Sequence, residues 1–530
     1  MPPETNPFNR TMQNLSSLLH DQAKRYGNKP FVEFERQENG PDILRYRQSL
    51  SYLEFDRRVD SAAGWLRSQG VKHGEVINLH LPNSVSFLVL WFACARSGIT
   101  MMPTNVLSSA EEMHYLLDHS GSVLVVTTRE FLPVMELATK NTAVRDLIIS
   151  DPFTDEPCDS SFEYALRSDA IGVAQTAGVE HNLVSIMYTS GTTSRPKGVM
   201  VTHANYIAAG RTVADAIGLT HRDRQYAVLP LFHGNAQYYS TMSALLQGAT
   251  LVLMDRFSAS RFMAKAAEYQ CTVASLFAAP IRMILAQPES ADEQRNVLRV
   301  TLYAQSITKQ QGDQWAHRFG APLCQLWGMT ETMGPPLMNP PGGDIRNESI
   351  GLPVGGYPIR LVDEQGEDVE CGDIGEILVG GVPGETLMLG YFKNPEATAQ
   401  TLSDGWLRTG DNGRLIDGYY YFVDRLKDMI KRSGENVAAT EVESVVNQHP
   451  AVYESAVVGV PDAMKDEEVV AVVVRKSDFE VSEEEIVQFC SQRLASFRVP
   501  GRVEFVDSMP RTSVGKIQKH RIREMLQAGE

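Results

Sequence analysis

Cysteines are few and stand apart: Cys94, Cys158, Cys271, Cys324, Cys371 and Cys490 form no C-x-x-C pair and no metal-ligand spacing. That excludes a cysteine-built zinc or disulfide framework and points to a reducing, cytoplasmic compartment. Positive charge is also short. With 49 Lys and Arg against 65 Asp and Glu, the formal net charge is -16. Such a surface repels polyanions, which argues against general nucleic-acid or membrane-surface binding and leaves any anionic ligand in need of a local site. Long apolar runs are missing as well. The most apolar one, "VSFLVLWFACA" (Val85 to Ala95), falls short of the roughly 20 residues that cross a bilayer. It reads as a buried helix, and no stable membrane insertion is expected. The N-terminal "MPPETNPFNRTMQNLSSLLH" has no charged start leading into an apolar core, so no secretory signal is expected.

What is present is a globular composition. The 530 residues, 43% hydrophobic and 22% charged, can bury more than one core, and the length favours two or more domains. "LEFDRRVDSAAGWLRSQG" repeats apolar residues at helical spacing, whereas "EVINLHL", "SVLVVTT", "QYAVLP", "ATLVLMD" and "TVASLFA" are short strand-like runs. Their alternation with helical stretches such as "SASRFMAKAAEYQ" predicts α/β layers. The Pro- and Gly-rich segment Gly334 to Pro358 predicts loops over a rigid base, and "YPIRLVDEQGEDVECGDIGEILVGG" a small antiparallel β subdomain. From about Asp424 the pattern becomes helix, strand, strand, helix, enough for a separate small α+β domain, with "DRLKDMIKRSGEN" as a candidate hinge.

The stretch "YTSGTTSRPKGVMVTH" (Tyr188 to His203) follows the strand-like "LVSIMY". A loop at a strand end is a common phosphate site in α/β proteins. Gly191 and Gly198 allow close backbone approach, Ser190, Thr192, Thr193 and Ser194 offer hydroxyls, and Lys197 adds a point charge. The order is not that of a Walker A loop, because Lys197 precedes Gly198 and no hydroxyl follows the lysine. From composition alone, a solvated Ser/Thr turn and a phosphate cradle both stay open.

The stretch resembles the nucleotide signature of the adenylate-forming superfamily of acyl-CoA synthetases, adenylation domains and luciferases, with Ser194 where glycine is usual. "LWGMTET" (Leu326 to Thr332), "GWLRTGDNGRLIDGYYYFVDRLKDMIKRSGENVAATEVE" and "PRTSVGKIQKHRIRE" (Pro510 to Glu524) resemble later signatures of the same family, in family order. The resemblance implies an N-terminal adenylation domain over residues 1–426 and a mobile C-terminal domain over 427–530, hinged near Lys427. It also implies ATP, Mg²⁺ and CoA, and a two-step reaction. A carboxylate first attacks the α-phosphate to give acyl-AMP and pyrophosphate; a thiol then displaces AMP. Fixed cations and hydrogen-bond donors suit that charge development better than an acid/base pair.

By this resemblance the nucleotide would be held by Thr189, Ser190, Gly191, Thr192, Thr193 and Lys197, by Gln305, Trp327, Gly328 and Met329, and by Asp411 and Arg425. Thr330 would donate to the α-phosphate, Glu331 would hold Mg²⁺, and Lys516 would bridge the attacking carboxylate and the α-phosphate. Trp327 stands where tyrosine is usual, which keeps a stacking face for adenine and loses a phenol. Asp411 would accept both ribose hydroxyls. Arg432, Ser433, Gly434 and Glu435 would line the CoA tunnel, and rotation about Lys427 would exchange that face with the one carrying Lys516. The adenine segment "YAQSIT" departs from the family, with Gln305 for glycine and Ile307 for proline.

"PLFHGNAQYYSTM" (Pro230 to Met242) resembles the helix bordering the acyl pocket, with His233 near the reacting carboxylate and Asn235, Gln237, Tyr238, Gln305 and Met333 around it. Outside the family, a histidine at a strand-to-helix junction such as His233 is more often a satisfied structural residue. "FHGNAQ" and "LLQGATLVLMDRFSASRF" look most like stand-alone acyl-CoA synthetases, including carnitine and crotonobetaine ligases. The leading expectation is an ATP-dependent acid:CoA ligase acting on a small-molecule carboxylic acid. The alternatives are an adenylation protein that loads a carrier-protein phosphopantetheine arm, a luciferase-type oxygenase, and a degenerate nucleotide-binding protein. A homodimer stays open.

Overall fold

The computed structural model describes residues 14–37, 45–150, 162, 182–189, 195–425, 428–432, 435–462, 466–476, 479–511 and 517–528. The strand-like runs become the parallel centres of two large sheets. In a seven-stranded sheet, Leu183–Thr189, Thr100–Pro103, Val76–His80, Leu124–Thr127 and Asp146–Ile149 run parallel, and Lys197–Thr202 and Gly390–Tyr391 close one edge antiparallel. In a nine-stranded sheet, Leu323–Trp327, Val300–Ala304, Val273–Phe277, Arg224–Ala227, Thr250–Met254 and Pro30–Gln37 are parallel neighbours in that order. The central strands are buried on both faces, which is why they read as continuous apolar runs, whereas the edge strand Asp146–Ile149 is partly exposed.

The apolar run becomes the helix Val85–Ser97, buried from Val85 to Arg96 in a core cluster that also takes residues from both sheets. Ser84 caps its start by accepting from the Phe87 N–H at 3.2 Å, and Gly98 ends it at φ 65. Its one charge, Arg96, is 1% exposed and stays buried because Asp56 and Asp60 pair with it at 2.5 and 2.6 Å. No helix among the described residues is long and apolar enough to cross a membrane.

The β subdomain expected after the Pro/Gly-rich segment is a five-stranded antiparallel sheet that includes Ile359–Val362, Ile374–Gly380, Trp406–Ile416 and Tyr419–Arg425. The Pro/Gly-rich segment itself departs from a pure loop. Leu337–Met338 and Leu352–Pro353 add two-residue strands to the edge of the nine-stranded sheet. An outermost position suits Pro353, which has no N–H for a further ladder. The smaller C-terminal domain carries the expected order, helix Ala439–Val446, strands Val452–Asp462 and Asp466–Arg475, helix Glu483–Ser491, on a mixed sheet with its own core. It also includes a last helix, Lys519–Ala528, packed on Val452–Asp462.

Candidate active site

The candidate residues of the large domain collect where parallel strands end. Thr189 closes Leu183–Thr189, Gln305 follows Val300–Ala304, and Trp327 closes Leu323–Trp327, with Gly328 to Glu331 directly after it. His233 follows the strand Arg224–Ala227 through a short connection. The carboxyl ends of parallel strands are where open α/β sheets bind ligands. Ser190, Gly191, Thr192 and Thr193 of the loop, together with Lys427, Ser433, Gly434 and Lys516, lie outside the described residues.

Lys197 and Glu331 meet on a residue that none of the sequence motifs singles out. The Glu331 carboxylate, 5% exposed, accepts from the Tyr391 hydroxyl at 2.9 Å, and the Lys197 ammonium lies over the Tyr391 ring, 4.9 Å from its centroid. Glu331 sits in the one-turn helix Thr330–Thr332, and its backbone carbonyl accepts from the Met388 N–H at 2.9 Å. Burial pushes its carboxyl above the ordinary range, while the Tyr391 hydrogen bond and the Arg425 and Lys197 charges oppose that shift. Thr189 lies opposite Lys197 in the antiparallel register, and its hydroxyl reaches the Lys197 carbonyl at 3.4 Å. Lys197 is thereby tied to the end of the preceding strand.

A second constellation joins Trp327, Asp411 and Arg425. The Trp327 indole N–H donates to Asp411 Oδ2 at 3.0 Å, and Arg425 Nε lies 3.3 Å from Asp411 Oδ1. Asp411 and Arg425 face each other across the antiparallel strands Trp406–Ile416 and Tyr419–Arg425. A Cβ at Gly328 would be tight, 3.0 Å from the Gly334 carbonyl oxygen. The Met329 N–H is held by Thr332 Oγ1 at 3.0 Å, and the turn ends at Met333 with φ 61. Gln305 also adopts a left-handed φ of 74, a conformation natural to the glycine it replaces.

The segment that resembles the acyl-pocket border is a π-helix, Asn235–Met242. π-helical turns are rare and concentrate at functional sites. Within it Gln237 has both amide ends engaged by protein, accepting from the Tyr206 hydroxyl at 2.5 Å and donating to the Leu231 carbonyl at 2.6 Å. Tyr238 is 2% exposed and points its hydroxyl at Met187 Sδ, 3.0 Å away, and Met333 is fully buried in the same core cluster. Asn235 differs from them. It is 3% exposed, yet neither end of its amide has a protein partner among the described residues. Its N–H is accepted by His233 Nδ1 at 3.1 Å, and the His233 ring stands perpendicular to Phe277 with 5.3 Å between centroids.

In the C-terminal domain Arg432 donates to the Phe497 and Val499 carbonyls at 3.1 and 2.7 Å and pairs with Glu468 at 2.8 Å. Glu435 is exposed and faces Arg432 across the hairpin. Beside the junction, a charge cluster escaped the sequence reading. Lys519 pairs with Glu443 at 2.8 Å, Arg523 with Asp428 at 2.9 Å, and Asp424 accepts from the Thr440 N–H at 3.1 Å. Burial opposes the Lys519 charge, but Glu443 and Asp424 outweigh it and hold the ammonium above its ordinary range. Cations near the chain end at Lys519 and Arg523 are the only trace of this cluster in the sequence, and spacing alone gives them no partner.

The site thus holds Lys197 and the Thr330–Glu331 turn around Tyr391, with the Asp411–Arg425 pair on the antiparallel subdomain, the groups that the sequence resemblance assigns to a nucleotide. Residues 19–392 match the model of the AMP-binding enzymes, and residues 441–516 match the AMP-binding enzyme C-terminal domain. The chain belongs to the AMP-binding enzyme family. It is 35% identical over 519 residues to a crotonobetaine/carnitine–CoA ligase of Escherichia coli, an alignment covering 96% of this chain and 99% of that protein. Among solved structures it resembles ATP-bound MatB from Rhodopseudomonas palustris, with TM-score 0.86, 27% identity and coverage of 97% and 99% of the two chains. It also resembles a benzoate CoA ligase from Burkholderia xenovorans LB400, with TM-score 0.85, 28% identity and coverage of 97% and 100%.

Proposed function

We propose a course of reaction for this chain in which the described constellations act on ATP and a carboxylic acid in turn. As an AMP-forming acid:CoA ligase, it joins the acid to AMP with loss of pyrophosphate and then transfers the acyl group to the CoA thiol. The loop between Thr189 and Lys197 cradles the departing β- and γ-phosphates, and the Lys197 charge stabilises them. Asp411, an acceptor-only group, takes the ribose hydroxyls, while Trp327 and Arg425 keep its carboxylate in place. Thr330 donates to the α-phosphate, and Lys516 brings the attacking carboxylate to it. His233 orients that carboxylate from the head of the π-helix.

Glu331 suits Mg²⁺, a hard cation that takes one or two carboxylates and otherwise phosphate oxygens and water. Among the described residues no cluster of three or more His, Cys, Asp and Glu could cage a metal by itself. When bound, the cation would neutralise phosphate charge. In the second half of the reaction the C-terminal domain turns about Lys427 and presents Arg432 to Glu435 to the thiol. We place the enzyme in the cytoplasm, where the buried thiols of Cys94, Cys271, Cys324 and Cys490 would stay reduced.

The observation that carries this reading is the meeting of Lys197 and Glu331 on Tyr391. The contact supports the reading because it joins the lysine assigned to the phosphates to the carboxylate assigned to the metal. The test separates the half-reactions. Lys516→Ala should abolish acid-dependent ATP–pyrophosphate exchange yet still form thioester from supplied acyl-AMP and CoA. Equal loss of both would contradict the two-face assignment, and thioester formation on a carrier protein but not on CoA would move the acceptor to the carrier.

A further inference from the structure

Tyr391 belongs to no signature stretch, yet it stands between two charged residues that the signatures supply. Its strand, Gly390–Tyr391, runs antiparallel to Lys197–Thr202 with Tyr391 opposite Val199, so its position is set by the strand that starts at Lys197. Its N–H donates to Thr398 Oγ1 at 2.9 Å, which ties it to the short helix Pro395–Thr401. Side-chain freedom is small, since the residue is 6% exposed. The phenol donates to Glu331 Oε1 at 2.9 Å, and the ring face carries the Lys197 ammonium 4.9 Å from its centroid.

These contacts do different work. A hydrogen bond to a buried carboxylate is charge-assisted and fixes its orientation. A cation over an aromatic face is held by the ring quadrupole and needs no hydroxyl. We propose that Tyr391 is a positioning residue for the metal–nucleotide complex: its hydroxyl orients Glu331 toward the cation and its ring seats Lys197 against the phosphates. The proposal rests on the reading of Glu331 as the Mg²⁺ carboxylate. One side chain therefore couples cation binding to phosphate binding, and its two parts can be removed separately.

The test uses the full chain and calorimetric titration of ATP with and without Mg²⁺, so no turnover is needed. Tyr391→Phe keeps the ring and loses the donor. It should raise the Mg²⁺ concentration for half-maximal stimulation of ATP binding about 10- to 100-fold, the effect of one hydrogen bond to a charged group, and leave Mg²⁺-free ATP affinity unchanged. Tyr391→Leu should also weaken Mg²⁺-free ATP binding, because Lys197 loses its seat. Wild-type Mg²⁺ dependence in Tyr391→Phe would overturn the proposal, as would equal loss of ATP affinity with and without Mg²⁺ in that variant. Glu331→Gln separates the two levels of the argument. If it leaves the Mg²⁺ dependence intact, the Glu331 assignment fails and the proposal falls with it; if it removes the dependence while Tyr391→Phe does not shift it, only the role of Tyr391 fails.

Discussion

The indole N–H of Trp327 donates to Asp411 Oδ2 across 3.0 Å, joining the end of a parallel strand to the antiparallel subdomain. In the proposed reaction Trp327 both offers a face to the adenine and holds the carboxylate that would take the ribose hydroxyls. Trp327→Phe keeps an aromatic face and removes the donor. The KM for ATP should rise about 10-fold, as expected for a lost hydrogen bond to a charged group, with little change in the KM for the acid. Steady-state kinetics with each substrate varied would check this; an unchanged KM for ATP would leave the bond without a functional role.

Asn235 keeps a buried amide without protein partners among the described residues, at the head of the π-helix. Replacing such a group by an apolar one of similar size removes a desolvation cost of about 1–3 kcal/mol. Asn235→Leu should therefore raise the midpoint of thermal unfolding while lowering kcat/KM for the acid. A variant that loses stability instead would show that the amide is satisfied in solution.

Buried histidines set an acid limit on stability. His80 is 0% and His203 1% exposed, and burial lowers both imidazoles from 6.5 to about 4. His203 Nδ1 accepts from the Leu15 N–H at 3.2 Å, which requires an unprotonated nitrogen. Because the folded value lies below the unfolded one, the unfolded chain takes up protons first. The contribution is complete above about pH 6.5 and is lost as pH falls toward 4, on the order of 3 kcal/mol per imidazole. Denaturant titrations from pH 7 to pH 5 should show the loss, with a shallower slope in His203→Gln, which still offers an acceptor but does not titrate.

The Lys519 cluster predicts a charge-specific effect beside the junction. Lys519→Met leaves Glu443 and Asp424 without their cation and should destabilise the chain by roughly 2–3 kcal/mol in denaturant titration. Lys519→Arg should recover most of that. Equal losses in both variants would assign the effect to packing rather than charge.

Trp327, Tyr391 and Lys519 mark where the sequence was legible and where it was not. The alternation of strand and helix periods announced the layered α/β fold, because central parallel strands are buried on both faces and each helix has a core-facing stripe. Asp411, Arg425 and Glu331 could be singled out as candidates because their signatures are contiguous in the chain. Tyr391 was not, since its partners arise from the pairing of Gly390–Tyr391 with a strand nearly two hundred residues earlier. The same holds for the Trp327–Asp411 bond and for the Lys519 cluster, whose members come from separate elements. The π-helix left no readable mark either, because Asn235 to Met242 is compatible with an ordinary helix.

Activation of a carboxylic acid as its adenylate and its transfer to CoA are tested by product stoichiometry. A panel of carboxylic acids that includes aromatic, short aliphatic and trimethylammonium-bearing members would be incubated with the purified chain, ATP, Mg²⁺ and CoA, and AMP, pyrophosphate and acyl-CoA would be quantified together. At least one acid should give the three products in equal amounts, with acid-dependent ATP–pyrophosphate exchange when CoA is left out. ADP as the nucleotide product, or no exchange with any acid of the panel, would contradict activation as the adenylate.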